Sequence, residues 1–512
     1  MKLLLKNKVK ILKNTEMGEI MKGKKQPRMP KVWEALIPVI AIMVFMIVGT
    51  VVWGMDPHIP LVLACVVTAF VAAVCGYSWD AIITGVLDSV KSAVEALLII
   101  LCVGMLIGSW VWAGTMPAMV YYGLKFIAPS IFLALGLVLT AIVGLATGSS
   151  WTASGTVGVA LMGVAMGLGI SAPLAAGMVI AGAYTGDKLS PLSDSTNVAA
   201  AAAETPLYDH VGAMMTTTIP SFCLAFVLYL VVGFAVIDTS GYEASLAQGI
   251  MDAIANQFYL SPWIMIPVLV VIFAAVKRIP AIPSLLLAAA VACLIAVFAQ
   301  GASVQDVLIG LQAGYSAETG NEYADKLLNR GGLDSMLWTI SLIMFALAYG
   351  GMMEKCRFVE SLMGGIVKRV KSLASLVAAT IITGIICDVI LTDQYLAIMV
   401  PSRMFRDEFD KRGLSRSFLS RTTEDGATLW SPMIPWNGCG AYQAATLGVH
   451  NFAFMPYAFV NLINPVLAVV ITAFGKGIKY KEYDGLRGEA LKAAKAKKKA
   501  ELAAAKNASK SA

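Results

Sequence analysis

Residues 61–77 read LVLACVVTAFVAAVCGY, without a charged side chain, and uncharged apolar runs of this kind recur from Ile40 to Phe474. A helix of about 20 apolar residues crosses the hydrocarbon core of a bilayer. No soluble core absorbs so many runs, because single globular cores stop growing at about 250–300 residues. Continuous runs also argue against a β-barrel, whose strands alternate apolar and polar over ~10 residues. The chain therefore reads as an all-α polytopic membrane protein. Its eight cysteines include Cys65, Cys75, Cys102, Cys223, Cys293 and Cys387 inside apolar runs, without zinc-like spacing, and so read as small core residues.

Charge gives the topology. Residues 1–31 hold ten Lys/Arg and two acids, and residues 476–512 hold eleven and four, whereas the whole chain is only +7. By the positive-inside rule both tails are expected in the cytoplasm, with the protein in the cell (inner) membrane. The first 31 residues lack an apolar signal region, so the run from Val32 to Val52 is expected to be a retained span. Walking onward, Asp80, Asp88 and Lys91 mark an inner loop, MPAMVYYGLKFIAP an outer one, and Asp238 the outer end of the first half. In the second half, Lys277 and Arg278 mark the inside, as do Lys355, Arg357, Lys368, Arg369 and the basic loop 403–421. These marks agree only if 373–401 enters the membrane and returns on the same side, as a re-entrant hairpin. The basic tails favour contact with lipid; nucleic acid would need a folded basic module, and none is evident.

The walk also exposes a repeat. GLGISAPLAAG starts at Gly167 and KRGLSRSFLSR at Lys411; Thr147 and Thr392 open the hairpin tips; Ser190–Pro191 is answered by Ser431–Pro432. The offsets are 244, 245 and 241 residues, and the loop after 92–113 is charge-poor where its counterpart after 334–353 is strongly basic. The expected architecture is two inverted-topology repeats, each with a re-entrant helical hairpin and a discontinuous (broken) helix, the pattern of secondary transporters. The organisation is a basic tail 1–31, repeat 1 over 32–238, an external linker 239–261, repeat 2 over 262–475, and a basic tail 476–512.

Four polar segments interrupt the apolar chain: TGSSWTASGT (147–156), GDKLSPLSDSTN (186–197), TDQY (392–395) and TTEDGATLWSPMIPWNGCG (422–440). Irregular backbone at membrane depth survives only where it lines a cavity or is buried in protein. Proline frees a carbonyl, and hydroxyls, carbonyls and carboxylates are the oxygen ligands of a hard cation; helix N-termini suit a carboxylate instead. A cation, an organic anion or both fit this chemistry. Desolvation favours a protonated carboxylate and a bound cation favours an ionised one, so one group serves Na⁺ or H⁺ in turn. The candidates for cation and proton binding are Asp187, Ser190, Asp194, Thr196, Asn197, Asp393, Glu424, Asp425 and Asn437, with Thr147, Ser149, Ser150, Ser154 and Thr392 at the tips.

Plainer readings stand beside these. Lys188 can neutralise Asp187, Arg421 can pair with Glu424 or Asp425, and Asp194 can cap the helix resuming at VAAAAA. Asn197 and Asn437 suit turns equally, and Trp430 and Trp436 suit packing. His58, His210 and His450 sit at span ends as interfacial residues, and Asp388 is either a relay or a packing group. A channel or scaffold explains the paired breaks less well, and an enzyme least, since no nucleophile–base pair, metal motif, nucleotide loop or cofactor motif is evident.

GAYTGDKLSPLSDSTNVAAA strongly resembles the signature of the NhaC-type Na⁺/H⁺ antiporter family, within the ion transporter superfamily. LSRTTEDGATLWSPMIPWNGCGAYQAATLGV resembles its second signature, and TDQYLAIMVPSRMF its second hairpin. The resemblance spans roughly residues 80 to 475. It implies a homodimer of scaffold and transport domains exchanging cytoplasmic Na⁺ for external H⁺; some relatives exchange organic acids such as malate and lactate. By position, Asp187, Asp194, Asn197, Asp393, Glu424, Asp425 and Asn437 fall within the matched motifs. The bulky Trp430 departs from the small residue expected there.

Overall fold

Backbone N–H and C=O groups in hydrocarbon must pair within their own segment, and this chain meets that demand with helices. The computed structural model describes residues 27–235, 241–277, 279–363 and 370–483. Among these there is no strand, only the isolated bridge between Leu414 and Tyr480. Seven described helices are long and apolar enough to cross a membrane, or up to nine if two bent pairs each count as one span. Most of both basic tails, with Asp238, Arg278, Lys368 and Arg369, lies outside the described residues.

The chain divides into two compact units. The first holds the described residues up to Ser92 and those from Leu347 to Met363. In it, helices Val32–Met46 and His58–Val74 lie side by side, and Arg28 clasps Glu34 with two 2.6 Å bonds. Gly85 and Gly351 bring two backbones together, since a Cβ on Gly351 would stand 2.2 Å from the Gly85 carbonyl oxygen.

The second unit contains the polar segments. The helices that build its centre are α1 (Pro129–Thr147), α2 (Val159–Gly167), α3 (Ala172–Leu189), α4 (Asp194–Ala202) and α5 (Leu207–Ala235). Later in the chain come α6 (Leu373–Leu391), α7 (Gln394–Lys411), α8 (Arg416–Trp430), α9 (Gly438–Leu447) and α10 (Phe459–Ala473). α3 is buried on every side from Leu174 to Lys188, and α8 from Ser417 to Leu429. A helix without a solvent face is a core helix, so the polar side chains of α8 must find partners inside the protein.

Glycines set how closely these core helices approach their neighbours. A Cβ on Gly182 would fall 1.9 Å from the Thr140 hydroxyl, and one on Gly186 would fall 2.1 Å from the Ala141 carbonyl. α3 therefore lies backbone to backbone on α1, a small-residue contact typical of membrane helices. α8 meets α6 similarly, where a Cβ on Gly426 would stand 2.6 Å from the Ile381 carbonyl.

Both tips share one local geometry. The 19-residue α1 ends at Gly148 (φ 66°) and the 19-residue α6 at Thr392 (φ 60°), both left-handed. The next residue caps the helix that follows: Ser149 accepts from Thr152 N at 3.1 Å, and Asp393 from Leu396 N at 2.9 Å. Beyond Ser149 the chain passes through one helical turn and a π-helical turn, Ser154–Gly158, into α2. α3 and α4 are separated by Ser190–Pro191–Leu192–Ser193, and α8 and α9 by a 3₁₀ turn, Ser431–Met433, and a second turn in which Asn437 N donates to the Ile434 carbonyl at 3.0 Å.

Three segments expected as loops are helical. Residues 80–91 lie in helix Trp79–Ser92 and MPAMVYYGLKF in Thr115–Phe126, while α7 continues through Pro401 to Lys411 and α8 begins at Arg416. Charge misled because these helices are two-faced: in α7, Phe405 and Phe409 are buried, whereas Arg403 and Asp407 face outward.

Gly186→Ala is expected to lower stability by about 1–3 kcal/mol in a detergent thermal-unfolding measurement, through overpacking against α1. Gly212→Ala, whose Cβ would meet only the Lys479 ammonium at 3.7 Å, is expected to be neutral or slightly stabilising.

Candidate functional site

α8 brings Arg421, Glu424 and Asp425 into the protein interior, where none of the three touches solvent. Asp425 is the hub. Its Oδ1 accepts from the Lys188 ammonium at the end of α3, the Thr217 hydroxyl of α5 (3.0 Å) and the Asn464 amide of α10 (2.7 Å). Its Oδ2 lies 3.4 Å from Arg421 Nε, one helical turn earlier. Ser221 extends the network by donating to Asn464 Oδ1 at 3.1 Å. Arg421 stacks over the Phe418 ring at 4.4 Å and donates to the Gly477 carbonyl at 3.1 Å. Lys188 thus pairs with Asp425, 237 residues away, and not with its neighbour Asp187.

Glu424 also meets α5, nearer the start of that helix. Its Oε1 lies 3.3 Å from His210 Nε2, and His210 Nδ1 lies 2.7 Å from the Ser420 hydroxyl. His210 is fully buried, which corrects its reading as an interfacial residue; His450, by contrast, is exposed and caps a short helix. The second carboxylate oxygen of Glu424 has no hydrogen-bond partner.

Asp187 sits where the first tip meets the first break. Its carboxylate has Ser150, after the tip, and Ser193, in the break, as polar neighbours. It is buried, and its Oδ1 has no hydrogen-bond partner. The segment from Asp388 to Cys439 holds a different set. Asn437 donates to Asp388 Oδ1 at 3.2 Å and accepts from Cys439 N at 3.0 Å. Gln394 Oε1 accepts from Ser431 at 3.2 Å and from the Cys439 thiol at 2.9 Å.

The remaining sequence candidates hold the backbone or face outward. Ser190 donates to the Leu145 carbonyl at 2.8 Å, and Thr196 to the Lys188 carbonyl at 3.2 Å, tying the break to both neighbouring helices. Thr147 donates to the Val143 carbonyl at 2.8 Å, and Thr392 to the Ala346 carbonyl at 2.6 Å. Ser149 and Asp393 are caps, and Ser154 is buried without a hydroxyl partner. Asp194 and Asn197 are exposed in the first turn of α4; Ser193 occupies the cap position, and Asn197 donates to the Ser193 carbonyl at 2.7 Å. The arrangement brings Asp187, Glu424 and Asp425 into the interior with polar partners and leaves Asp194 and Asn197 outside it.

Sequence reasoning overlooked Thr217 and Asn464 and misplaced His210. A signal existed for two of them: Asn461 and Asn464 lie three apart on one face of the apolar α10, and Thr216–Thr218 interrupt the apolar α5. Intramembrane polar groups of this kind default to function or to interhelical bonds.

Buried carboxylates with a counter-cation, placed where two core helices are interrupted inside an all-helical membrane protein, define a secondary transporter. Comparison with known proteins agrees. The model of the Na⁺/H⁺ antiporter family matches residues 182–476. The Na⁺/H⁺ antiporter NhaC of Bacillus subtilis (strain 168) is 39% identical over 422 residues, 81% of this chain and 92% of that protein. NhaC of Alkalihalophilus pseudofirmus is 36% identical over 85% of this chain and 94% of that protein. The malate-2H⁺/Na⁺-lactate antiporter of Bacillus subtilis is 33% identical over 91% of this chain and its own full length. The chain belongs to the Na⁺/H⁺ antiporter family, of the NhaC type. These relatives are antiporters, not enzymes.

Breaking a buried ion pair from one side leaves an uncompensated charge, at a cost of about 3–5 kcal/mol. Asp425→Asn and Lys188→Met are each expected to lower thermal stability by that order. The double variant Lys188→Met/Asp425→Asn is expected to lose less than the sum of the two single losses, as a double-mutant cycle by thermal unfolding would show.

Proposed function

We propose that the protein is a secondary active transporter that exchanges cytoplasmic Na⁺ for external H⁺, and that Asp187 is the group alternately holding the two ions. The observation carrying this reading is the division of labour among the buried carboxylates. Asp425 is already neutralised by Lys188 and Arg421, whereas Asp187 is buried with a free carboxylate oxygen and hydroxyls beside it. A hard cation needs several oxygen ligands and gives up its water only to a cage of them. Asp187, Ser150 and the carbonyls freed around Ser190–Ser193 form such a set. Glu424, with one free oxygen beside His210, is a second station for a proton.

In this scheme Na⁺ from the cytoplasm binds the ionised Asp187. After the site faces outward, a proton replaces Na⁺ on the carboxylate, and the neutral acid returns. One positive charge occupies the site in both loaded states, so neither crossing exposes a bare carboxylate to hydrocarbon. Asn437, Thr196 and Asp393 shape the breaks and tips, and the exposed Asp194 and Asn197 line the approach. Lys188 and Asp425 join α3 to α8, so that both interrupted helices move together.

The fold reading that accompanies this is two inverted repeats over 32–238 and 262–475, each with a re-entrant hairpin, joined by an external linker over 239–261. The matched geometry of the tips at Gly148 and Thr392 supports it, as do the glycine contacts of α1 with α3 and of α6 with α8. Both termini are cytoplasmic in this topology, and the unit in the membrane is a homodimer. An organic-acid exchange, of malate for lactate, is the second reading. It is favoured by the full-length relative of that activity and by the buried cations Lys188 and Arg421.

Inverted vesicles from cells lacking their own antiporters, energised to acidify the lumen and followed with a pH-sensitive dye, test both. NaCl alone is expected to restore fluorescence, and Asp187→Asn is expected to abolish the response while the protein still inserts. Silence with NaCl but a response to malate or lactate would assign the chain to the second reading. Full activity in Asp187→Asn would refute the assignment of that residue.

A further inference from the structure

The second unit carries an apolar cavity of about 250 Å³ away from the buried carboxylates, lined by Met119, Tyr122, Leu139, Val157, Ala160 and Val164, among others. Met119, Tyr122, Leu139 and Val157 are half-buried, so the cavity opens to the surface of a protein that stands in a bilayer. What meets such an opening at membrane depth is an acyl chain.

The rim has a different chemistry. Tyr122, which lines the cavity, stacks on Phe126 with centroids 6.1 Å apart and planes 8° from parallel. The Lys125 ammonium lies over the Phe126 ring at 5.8 Å and over the Tyr121 ring at 5.7 Å. Lys125 is exposed, and among the described residues no carboxylate is paired with it. Tyr121 and Tyr122 beside an exposed lysine match the composition of a headgroup-level belt. An unpaired cation there complements a phosphate.

We infer that this cavity is a binding site for an anionic phospholipid, with one acyl chain inside and the headgroup phosphate on Lys125. The observations fix both ends of the ligand, because one helix, Thr115–Phe126, supplies the apolar lining through Met119 and Tyr122 and the cation through Lys125. The far wall gives the site a bearing on transport. Val157 lies in the π-helical turn Ser154–Gly158 that follows the first tip, and Ala160 and Val164 lie on α2 beyond it. A π-turn is a departure from regular helix that recurs at functional positions. A seated acyl chain braces that turn.

The test uses the full-length protein, delipidated in detergent and titrated with phosphatidylglycerol or phosphatidylcholine, with bound lipid counted by native mass spectrometry. Wild type is expected to retain one phosphatidylglycerol in preference to phosphatidylcholine. Lys125→Ala weakens phosphatidylglycerol binding about fivefold, the effect of one basic residue at a lipid surface, and Lys125→Arg restores it. Leu139→Trp, which fills the cavity, removes retention of both lipids. If that variant does not fold, the exposed Lys125 position still decides the matter. Equal binding of the two lipids by wild type, or unchanged phosphatidylglycerol binding in Lys125→Ala, overturns the inference. So does a second copy of the chain covering the cavity when the Thr115–Phe126 helix is cross-linked.

Discussion

The ion pair between Lys188 and Asp425 lies where neither side chain touches water. An ammonium and a carboxylate each lose several kcal/mol of hydration on such burial, and their attraction offsets this only with good geometry and further bonds. The protein supplies those bonds from Thr217, Asn464 and Arg421, on three different helices. The pair is therefore weak evidence for stability and strong evidence for fixed position. It holds the end of α3 against the middle of α8, and the contacts of Thr217, Asn464 and Arg421 converge on that junction.

α3 and α8, the two helices that the pair joins, are each packed closely on a further helix. Gly182 and Gly186 let α3 lie on α1, and Gly426 lets α8 lie on α6, at distances no Cβ would permit. The breaks then open beside this tightly packed pair of helices. Proline in each break frees a carbonyl, and Ser190 and Thr196 tie the first break to its neighbours, so the irregular backbone is anchored rather than loose. Asp187, between tip and break, keeps an oxygen that no donor occupies.

Much of this was legible in the sequence. Apolar runs announced the membrane, and the Ser-Pro pairs at 190 and 431 announced the breaks, because a proline inside a helix removes a donor and interrupts it. What was hidden depended on pairings across hundreds of residues. Lys188 next to Asp187 invites a local pair, yet consecutive residues on a helix point in different directions, and Lys188 instead meets a carboxylate on α8. His210 near a helix start looks interfacial until Ser420 and Glu424 arrive from 210 and 214 residues away. Charged stretches read as loops were amphipathic helices, since charge counting ignores the buried face that Phe405 and Phe409 provide. Asp194 and Asn197 share a motif with Asp187 but not its surroundings, because the chain turns between them at Pro191.

In the proposed scheme one buried carboxylate, Asp187, exchanges a proton for Na⁺. Calorimetric titration of the purified protein with NaCl, repeated in two buffers of different ionisation enthalpy, measures Na⁺ binding and the accompanying proton release together. Saturable binding with protons released as Na⁺ enters is the predicted result, with loss of both in Asp187→Asn while the protein stays folded. Na⁺ binding that releases no proton, or binding and release that survive in Asp187→Asn, would contradict it.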